Sequence, residues 1–214
     1  MAEMVRISRH PLVQSKLTRL RDKSTGPKEF RELVADLARL LFVDASADLA
    51  LTPATVETPL APASGYVVSE RVGLFPILRA GLGMAHAIVD LLPEAQVWHL
   101  GLYRDHESLE PVEYYNKLPD RLAIDRAVVL DPMLATGGSA SVVVEILKRR
   151  RVPRIQFIAL IAAPEGMRRM QQAFPDVPIF LAGLDSHLNE IGYIVPGLGD
   201  AGDRQFGTGT PSAE

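Results

Sequence analysis

Residues 128–140 read Val-Val-Leu-Asp-Pro-Met-Leu-Ala-Thr-Gly-Gly-Ser-Ala, and the fold is decided here. The apolar run 128–130 is rich in β-branched residues and predicts a buried strand that ends at Asp131 and Pro132. A glycine turn at 136–139 then leads into residues 141–148, whose apolar spacing is typical of a helix packed on a sheet. Glycines let an anion approach the backbone, and a helix start favours negative charge. The stretch therefore predicts a phosphate cradle beside a carboxylate.

The same stretch also has a simpler interpretation. Strand-to-helix turns often carry Thr, Gly and Ser only to make the turn and to cap the helix, and residues 128–140 alone leave both interpretations open. The sequence contains no Gly-Lys-Ser or Gly-Lys-Thr, which disfavours a Walker-type nucleoside triphosphate site.

Composition limits the class of protein. The 214 residues, 47% hydrophobic and 23% charged, suit a single α/β domain spanning 1–214, with loose tails expected at 1–5 and 208–214. The absence of cysteine excludes disulfides, thiol catalysis and cysteine-ligated zinc. No signal peptide or membrane-spanning run is found, so we expect a cytoplasmic protein without a membrane partner. A net charge of −3 argues against nucleic acid as a partner.

Strand and helix patterns alternate along the chain. Helices are predicted at 12–21, 27–44, 84–92 and 165–174, and further strands at 72–78, 96–102, 155–162 and 178–184. This alternation predicts a mainly parallel twisted sheet flanked by helices, preceded by two N-terminal helices. Residues 51–64 predict an irregular arm or a short edge strand. A polar insertion at 105–119, with a hairpin around 112–118, is typical of a lid.

Two arginines follow predicted strands. Arg79 follows strand 72–78 and precedes a glycine turn, and Arg104 follows strand 96–102. Open α/β sheets bind ligands at the carboxyl ends of their strands, and arginine suits bidentate phosphate contacts. We therefore predict that both arginines face the ligand, the alternative for Arg79 being a surface arginine.

Three other patterns have simpler explanations. Residues 197–202 formally match a dinucleotide glycine pattern, but Pro196 interrupts the preceding strand and no helical pattern follows, so we predict a constrained loop carrying Asp200 and Asp203. Residues 105–107, Asp-His-Glu, are better explained as a solvated loop than as a metal site. The basic run 148–151 is better explained as capping of a helix end than as a nucleic-acid patch.

With these residues in view, the chain resembles the uracil phosphoribosyltransferase family, of the type I phosphoribosyltransferase fold, over nearly all of residues 10–208. The matching segments are His-Pro-Leu-Val-Gln (10–14), Lys-Glu-Phe-Arg-Glu-Leu-Val (28–34), Pro-Ile-Leu-Arg-Ala-Gly-Leu-Gly-Met (76–84), Tyr-Arg (103–104), Asp-Pro-Met-Leu-Ala-Thr-Gly-Gly-Ser (131–139), Ala-Ala-Pro-Glu-Gly (162–166) and Gly-Tyr-Ile-Val-Pro-Gly-Leu-Gly-Asp-Ala-Gly-Asp (192–203). The type I pattern usually has two adjacent acids before its phosphate loop, and Pro132 stands in place of the second, as in the uracil-specific branch.

The resemblance implies transfer of 5-phosphoribosyl from 5-phosphoribosyl 1-diphosphate (PRPP) to N1 of uracil, giving UMP and diphosphate, with Mg²⁺ expected through PRPP rather than through a direct protein ligand. It implies uracil-binding residues at Ile194, Gly199, Asp200 and Ala201. It implies PRPP-binding residues at Arg79, Arg104, Asp131, Pro132, Met133, Leu134, Ala135, Thr136, Gly137, Gly138, Ser139 and Asp200. Asp131 and Asp200 are the candidate catalytic residues, and Met133 and Tyr193 either flank the base or pack in the core.

The resemblance also implies a homo-oligomer, a dimer or larger, and a possible GTP effector whose site the sequence does not locate. Two alternatives remain from the residues themselves. One is a regulatory protein that keeps the fold to sense PRPP or UMP, which the intact arginines, acid and loop disfavour. The other is a transferase for another base such as a purine, which the loop at 192–203 opposes.

Overall fold

The structure of the protein is a computed structural model that describes residues 4–104, 111–116 and 118–208. Along these residues the helices are α1 (Pro11–Arg21), α2 (Pro27–Ala45), α3 (Leu82–Val89), α4 (Gly138–Arg149), α5 (Pro164–Ala173) and α6 (Ala201–Phe206). The strands are β1 (Val5–Ile7), β2 (Leu51–Glu57), β3 (Pro62–Val68), β4 (Val72–Pro76), β5 (Gln96–Val97), β6 (Leu100–Arg104), β7 (Pro111–Asn116), β8 (Arg126–Leu130), β9 (Met133–Leu134), β10 (Arg154–Ala162), β11 (Ile179–Leu184), β12 (His187–Leu188) and β13 (Ile194–Val195).

The central sheet has the strand order β1-β11-β10-β8-β4-β5, and the short strand β9 also pairs with β10. All of these pairs are parallel. Helices connect the strands, as parallel strands require a crossover. The predicted class, a mainly parallel sheet flanked by helices, is confirmed.

Strand β8 is buried on both faces because successive side chains point to opposite sides of a sheet. Val128 and Leu130 belong to one core cluster, which includes buried residues of α2 and α3. Ala127 and Val129 belong to a second cluster, which includes buried residues of α4. The sheet is thus covered by a helical layer on each face, and no helix of the described chain is long and apolar enough to cross a membrane.

The segment predicted as an irregular arm or a short edge strand is instead a regular hairpin. Strands β2 and β3, of seven residues each, pair antiparallel with each other in a sheet of their own. The prolines misled the prediction, because Pro53 and Pro62 suggested broken structure. Proline is tolerated in edge strands, and in a two-stranded sheet both strands are edges.

Two boundaries also differ from the prediction. Residue 5 was expected in a loose tail, but Val5 begins β1 and pairs with Ile179, whose N–H also donates to the carbonyl of Met4 at 2.9 Å. The strand predicted at 96–102 is two strands, because β5 stays in the main sheet whereas β6 leaves it to pair with β7. A hairpin was predicted around 112–118, but the observed hairpin pairs β6 with β7, so residues 111–116 are its second strand and its first strand lies at 100–104. Residues 105–110, including the Asp-His-Glu run, and the tails 1–3 and 209–214 lie outside the described residues.

The amino ends of the strands carry an ion network built around one buried pair, Arg126 and Glu70. Arg126, at the start of β8, donates to Glu70 at 2.9 Å, to Asp48 at 2.6 Å and to Gln156 at 3.2 Å. Arg154, on the neighbouring strand, adds a second cation to Glu70 at 2.5 Å. The Arg126 side chain is 3% exposed and the Glu70 side chain 1%, so this network closes one edge of the sheet.

Candidate active site

The carboxyl ends of β4, β8 and β10 are in register. Pro76 pairs with Leu130, and Leu130 pairs with Ile158. Immediately beyond, the N–H of Ile77 donates to Leu130 O at 2.9 Å and the N–H of Asp131 donates to Ile158 O at 3.2 Å. The chain leaving β4 toward Arg79 and the chain leaving β8 toward the glycine turn therefore start side by side, as the sequence predicted for strand ends of one parallel sheet.

The segment after Asp131 is held against β10. The carbonyl of Pro132 accepts from the N–H groups of Leu160 at 3.1 Å and Ile161 at 3.0 Å, and Leu134 O accepts from the N–H of Ala163 at 2.9 Å. Proline lacks an N–H group, so Pro132 takes part in the strand pairing through its carbonyl oxygen alone. The backbone resumes strand pairing as β9, which fixes the loop that follows.

The glycine turn ends at the start of α4. Gly137 adopts a left-handed φ of 77°, and α4 begins at Gly138 rather than near Ser141 as predicted. Gly138 and Ser139 therefore lie in the first helical turn, where N–H groups have no intrahelical partner. This arrangement presents free amides to an anion, as the cradle interpretation requires.

Close packing against α5 supports the turn. A Cβ on Gly166 would lie 2.4 Å from the carbonyl oxygen of Ala135 and 2.9 Å from that of Leu134. A Cβ on Gly137 would in turn lie 3.1 Å from the Gly166 carbonyl oxygen. The sequence had matched the segment 162–166 to the family without giving it a role. Glycine is needed at 166 because the backbone of the first turn of α5 touches the backbone of residues 134–135. These two segments meet only in the folded chain.

Asp131 lies just before this turn, and the pKa of its carboxyl group is raised. This pKa is raised to about 7, chiefly by burial and in smaller part by the negative charge of Asp200, against the opposing effect of a 3.1 Å hydrogen bond from the N–H of Met133. Asp131 therefore changes protonation near neutral pH. Asp200 lies beside Arg79, because a Cβ on Gly202 would lie 3.2 Å from Asp200 Oδ1 and 3.8 Å from Arg79 Nη2.

Asp200 begins a helix that the sequence did not reveal. We predicted that no helix follows residues 197–202, but α6 starts at Ala201, and Asp200 Oδ1 caps it by accepting from the N–H of Asp203 at 2.8 Å. The glycines at 197, 199, 202 and 207 had hidden the helical pattern. The preceding strand β13 pairs antiparallel with β12, so the segment is not the βαβ unit that a dinucleotide site requires.

Arg79 reaches this helix from the end of β4. Its Nη2 donates to Asp203 Oδ1 at 3.2 Å, its Nη1 donates to Thr208 Oγ1 at 3.4 Å, and its guanidinium lies 6.0 Å from the ring of Phe206. These contacts are long, and the side chain is 56% exposed. The structure thus brings Arg79, the turn at 131–139 and Asp200 to one crevice, with the guanidinium only loosely held.

Arg104 ends β6, outside the central sheet. A bridge between Ile77 and Leu100 brings the start of β6 beside the end of β4. The side chain of Arg104 lies outside what the structure describes, so its ligand contact stays a prediction.

The predicted uracil-binding residues lie along one segment, from Ile194 in β13 through the loop at Gly199 to Ala201 at the start of α6. Ile194 and Ala201 are buried, and Gly199 between them has a left-handed φ of 77°. Tyr193 is 44% exposed, which removes core packing as an explanation for it, whereas Met133 packs against the core cluster.

The described residues contain no group of three or more histidines or acids that could hold a metal ion directly. Asp131 and Asp200 nevertheless offer oxygen ligands of the kind that Mg²⁺ prefers. A cation between them would also relieve the repulsion that contributes to the raised pKa of Asp131.

Comparison with known proteins identifies the family. The family model described as uracil phosphoribosyltransferase matches residues 7–208. A uracil phosphoribosyltransferase of Roseiflexus castenholzii is 61% identical over 207 residues, which cover 97% of this chain and all of that protein.

Solved structures share the fold of this chain. The AQ2163 protein of Aquifex aeolicus superposes with a TM-score of 0.88 at 37% identity, covering 94% of this chain and 97% of that chain. An adenine phosphoribosyltransferase of Trypanosoma brucei, at a TM-score of 0.54, 11% identity and coverage of 85% and 84%, shares the fold alone. The match over almost the whole length, with the crevice at the expected strand ends, shows that the chain belongs to the uracil phosphoribosyltransferase family.

Proposed function

We propose that the protein transfers 5-phosphoribosyl from PRPP to N1 of uracil, giving UMP and diphosphate. The observation that carries the proposal is the convergence of the Gly137 turn, Asp131, Arg79 and the loop at 194–201 on one crevice, in a chain of this family. The first three suit a phosphorylated sugar, and the loop suits a planar base.

The turn after β9 would hold the 5-phosphate. Backbone amides of residues 135–139 and the hydroxyls of Thr136 and Ser139 would donate to its oxygens, and the start of α4 favours its charge. Asp131 would accept hydrogen bonds from the ribose hydroxyls. Its raised pKa lets a neighbouring hydroxyl or cation draw it to the ionised form on binding.

Arg79 and Arg104 would offset the charge that develops on the departing diphosphate. The exposure of Arg79 leaves its guanidinium available, since its present contacts with Asp203 and Thr208 are long. Mg²⁺ bound through PRPP would supply further neutralisation of the diphosphate, with Asp131 and Asp200 as the nearby carboxylates. The remaining task of the protein is to align uracil N1 with ribose C1.

Main-chain groups at Ile194, Gly199 and Ala201 would recognise the base. Uracil presents acceptor, donor and acceptor along one edge, whereas cytosine presents a different order. Cytosine would leave a buried polar group unpaired, so the loop selects against it.

We further propose a homo-oligomer built with the β2–β3 hairpin. Its strands pair only with each other, and they expose Leu51, Val56, Tyr66 and Val67 by half or more of their surface. Such an apolar surface is typical of a protein interface. Activation by GTP and a cytoplasmic location are also proposed from the family resemblance. GTP is tested by adding it to the assay below.

The decisive assay incubates the protein with Mg²⁺, PRPP and each nucleobase in turn, and identifies the nucleotide formed. UMP from uracil alone supports the proposal. A purine nucleotide would make the protein a transferase for another base. No nucleotide from any base, with PRPP bound tightly in calorimetry, would make it a sensor.

A further inference from the structure

An ion pair between Arg21 and Asp185 contacts the loop at 194–201. Arg21, the last residue of α1, donates from Nη1 to Asp185 Oδ2 at 2.8 Å and from Nη2 to Asp185 Oδ1 at 2.5 Å. Asp185 directly follows β11, and its N–H donates to Ala162 O at 2.8 Å. The Asp185 side chain is 3% exposed and the Arg21 side chain 24%, so the pair is well shielded from water.

This pair holds both sides of one residue, Gly197. The N–H of Gly197 donates to Asp185 Oδ2 at 2.9 Å, and the carbonyl oxygen of Gly197 accepts from Arg21 Nη1 at 2.8 Å. Gly197 has a left-handed φ of 66°, and a Cβ there would lie 2.1 Å from Ile194 O. The backbone at this position is therefore fixed by two charge-assisted hydrogen bonds and by a close approach that only glycine permits.

A second arginine holds the next residue. Arg204 Nη1 donates to Leu198 O at 2.8 Å and to Leu20 O at 2.8 Å, and its guanidinium lies 4.3 Å from the ring of Phe30. The carbonyls of residues 197 and 198 are thus both bound to arginine before the chain reaches Gly199. Through Arg21 and Arg204 the loop is tied to the end of α1.

We propose that Arg21 and Asp185 are positioning residues for uracil. By clamping Gly197 they set the direction in which the backbone enters residues 199–201, and so aim the main-chain groups that recognise the base. The inference rests on the proposed function and extends it to two residues that the family resemblance did not assign. Preorganised donors and acceptors bind well only when their supporting contacts hold them in place.

The first test is Arg21→Lys. A lysine has one charged nitrogen instead of a planar fork, so it cannot hold both Asp185 oxygens and Gly197 O in the same geometry. We expect the KM for uracil to rise about 10-fold, with kcat and the KM for PRPP changing less than about threefold. The matched control is Arg126→Lys, the same exchange in the buried network at the opposite edge of the sheet, which should leave both KM values unchanged.

A double variant, Arg21→Met with Asp185→Val, separates positioning from stability. Apolar replacement of a buried pair is often neutral for stability, so this variant should unfold near the wild-type urea midpoint while its KM for uracil stays raised. Recovery of the wild-type KM would overturn the proposal and leave the pair a purely structural one. If the double variant does not fold, Arg21→Lys decides.

Amide hydrogen exchange tests the clamp without any substrate. In Arg21→Lys the amides of residues 197–201 should exchange at least about fivefold faster, while residues 131–139 stay unchanged. Unchanged exchange in both segments would overturn the positioning role even if the protein makes UMP. Faster exchange in a protein that makes no UMP would instead overturn the proposed function and keep the clamp.

Discussion

Arg126 and Arg79 lie at opposite ends of two neighbouring strands, and they differ in how fully their guanidinium groups are hydrogen-bonded by the protein. Arg126, at the amino end of β8, is 3% exposed and donates to Glu70, Asp48 and Gln156. Arg79, beyond the carboxyl end of β4, is 56% exposed, and among the described residues its polar contacts are those to Asp203 at 3.2 Å and Thr208 at 3.4 Å. An arginine whose donors are all engaged by buried protein groups supports the fold, whereas an exposed arginine with weak hydrogen bonds remains available to a ligand.

The largest effect should come from distorting the glycine turn that forms the cradle. Gly137→Val places a β-branched side chain at a φ of 77° and against the backbone of Gly166, so the turn cannot keep its shape. We expect PRPP binding to be lost, by more than about 100-fold in Kd, which calorimetry measures. The protein should stay folded by circular dichroism, because the turn lies at the sheet edge.

Gly26→Ala is the matched control for that variant. Gly26 precedes α2 with an ordinary φ of −71°, and a Cβ there would meet nothing within 4 Å. Normal PRPP affinity in Gly137→Val would refute the cradle.

Disrupting the Arg126 network at the amino ends of the strands should lower the free energy of unfolding without changing the kinetics. Arg126→Met leaves Glu70 buried with the half-exposed Arg154 and the N–H of Ala50 as its remaining described partners, and we expect unfolding to become easier by about 3 kcal/mol. Urea unfolding measures the loss, and both KM values should stay near wild type. A selective loss of PRPP use would contradict the division between the two edges.

A substitution of Arg79, at the carboxyl ends of the strands, should instead change the kinetics without changing stability. Arg79→Met should lower kcat/KM for PRPP by at least about 10-fold, because a cation that offsets charge in the transition state is removed. Its urea midpoint should barely move, since the side chain is exposed and loosely paired. If Arg79→Met destabilises the protein as strongly as Arg126→Met, the comparison fails.

Arg104→Ala should give a similar loss in PRPP use, at least about 10-fold, with the KM for uracil less affected. Steady-state kinetics with each substrate varied in turn separates the two effects. Unchanged kinetics with both substrates would remove Arg104 from the site.

The smallest effect concerns Asp131 and pH. The pKa of Asp131 is raised in the folded state, from an ordinary 3.8 to about 7. Between pH 4 and pH 7 the unfolded chain is already ionised while the folded chain stays protonated, so this group makes the protein less stable as pH rises through that window. Asp131→Asn removes the titration and should gain at least about 1 kcal/mol over wild type at pH 7.5, with no gain at pH 4. Parallel thermal melts at the two pH values measure this, and an equal gain at both would contradict it.

Local patterns were enough to predict part of this site. The run of apolar residues before Asp131, the glycines after it and the arginine after β4 each act through their own neighbours in sequence, so periodicity and turn chemistry predicted them. The parallel sheet then placed them together, because strand ends in one register share an edge.

The remaining features depend on contacts that no local pattern contains. Gly166 matters because it meets Ala135, and Arg21 matters because it meets Asp185, 164 residues away in sequence. Helix α6 was missed because its glycines resemble a loop until Asp200 caps it. The β2–β3 hairpin was missed because its prolines signal a break everywhere except at an exposed edge.

The clamp on Gly197 has a consequence for redesign. The base loop is tied to α1 and β11, whereas the phosphate turn is tied to β10 and α5. The two segments therefore rest on different helices but on neighbouring strands, since β10 pairs with β11 and the N–H of Asp185 donates to Ala162 O at 2.8 Å. Deviation from additivity between mutations in the two segments would measure how strongly these strands couple them. A directed search for enzymes that accept modified pyrimidines would therefore vary Tyr193 and Ile194 while keeping Arg21, Asp185, Gly197, Gly199, Asp200 and the whole of 131–139 intact.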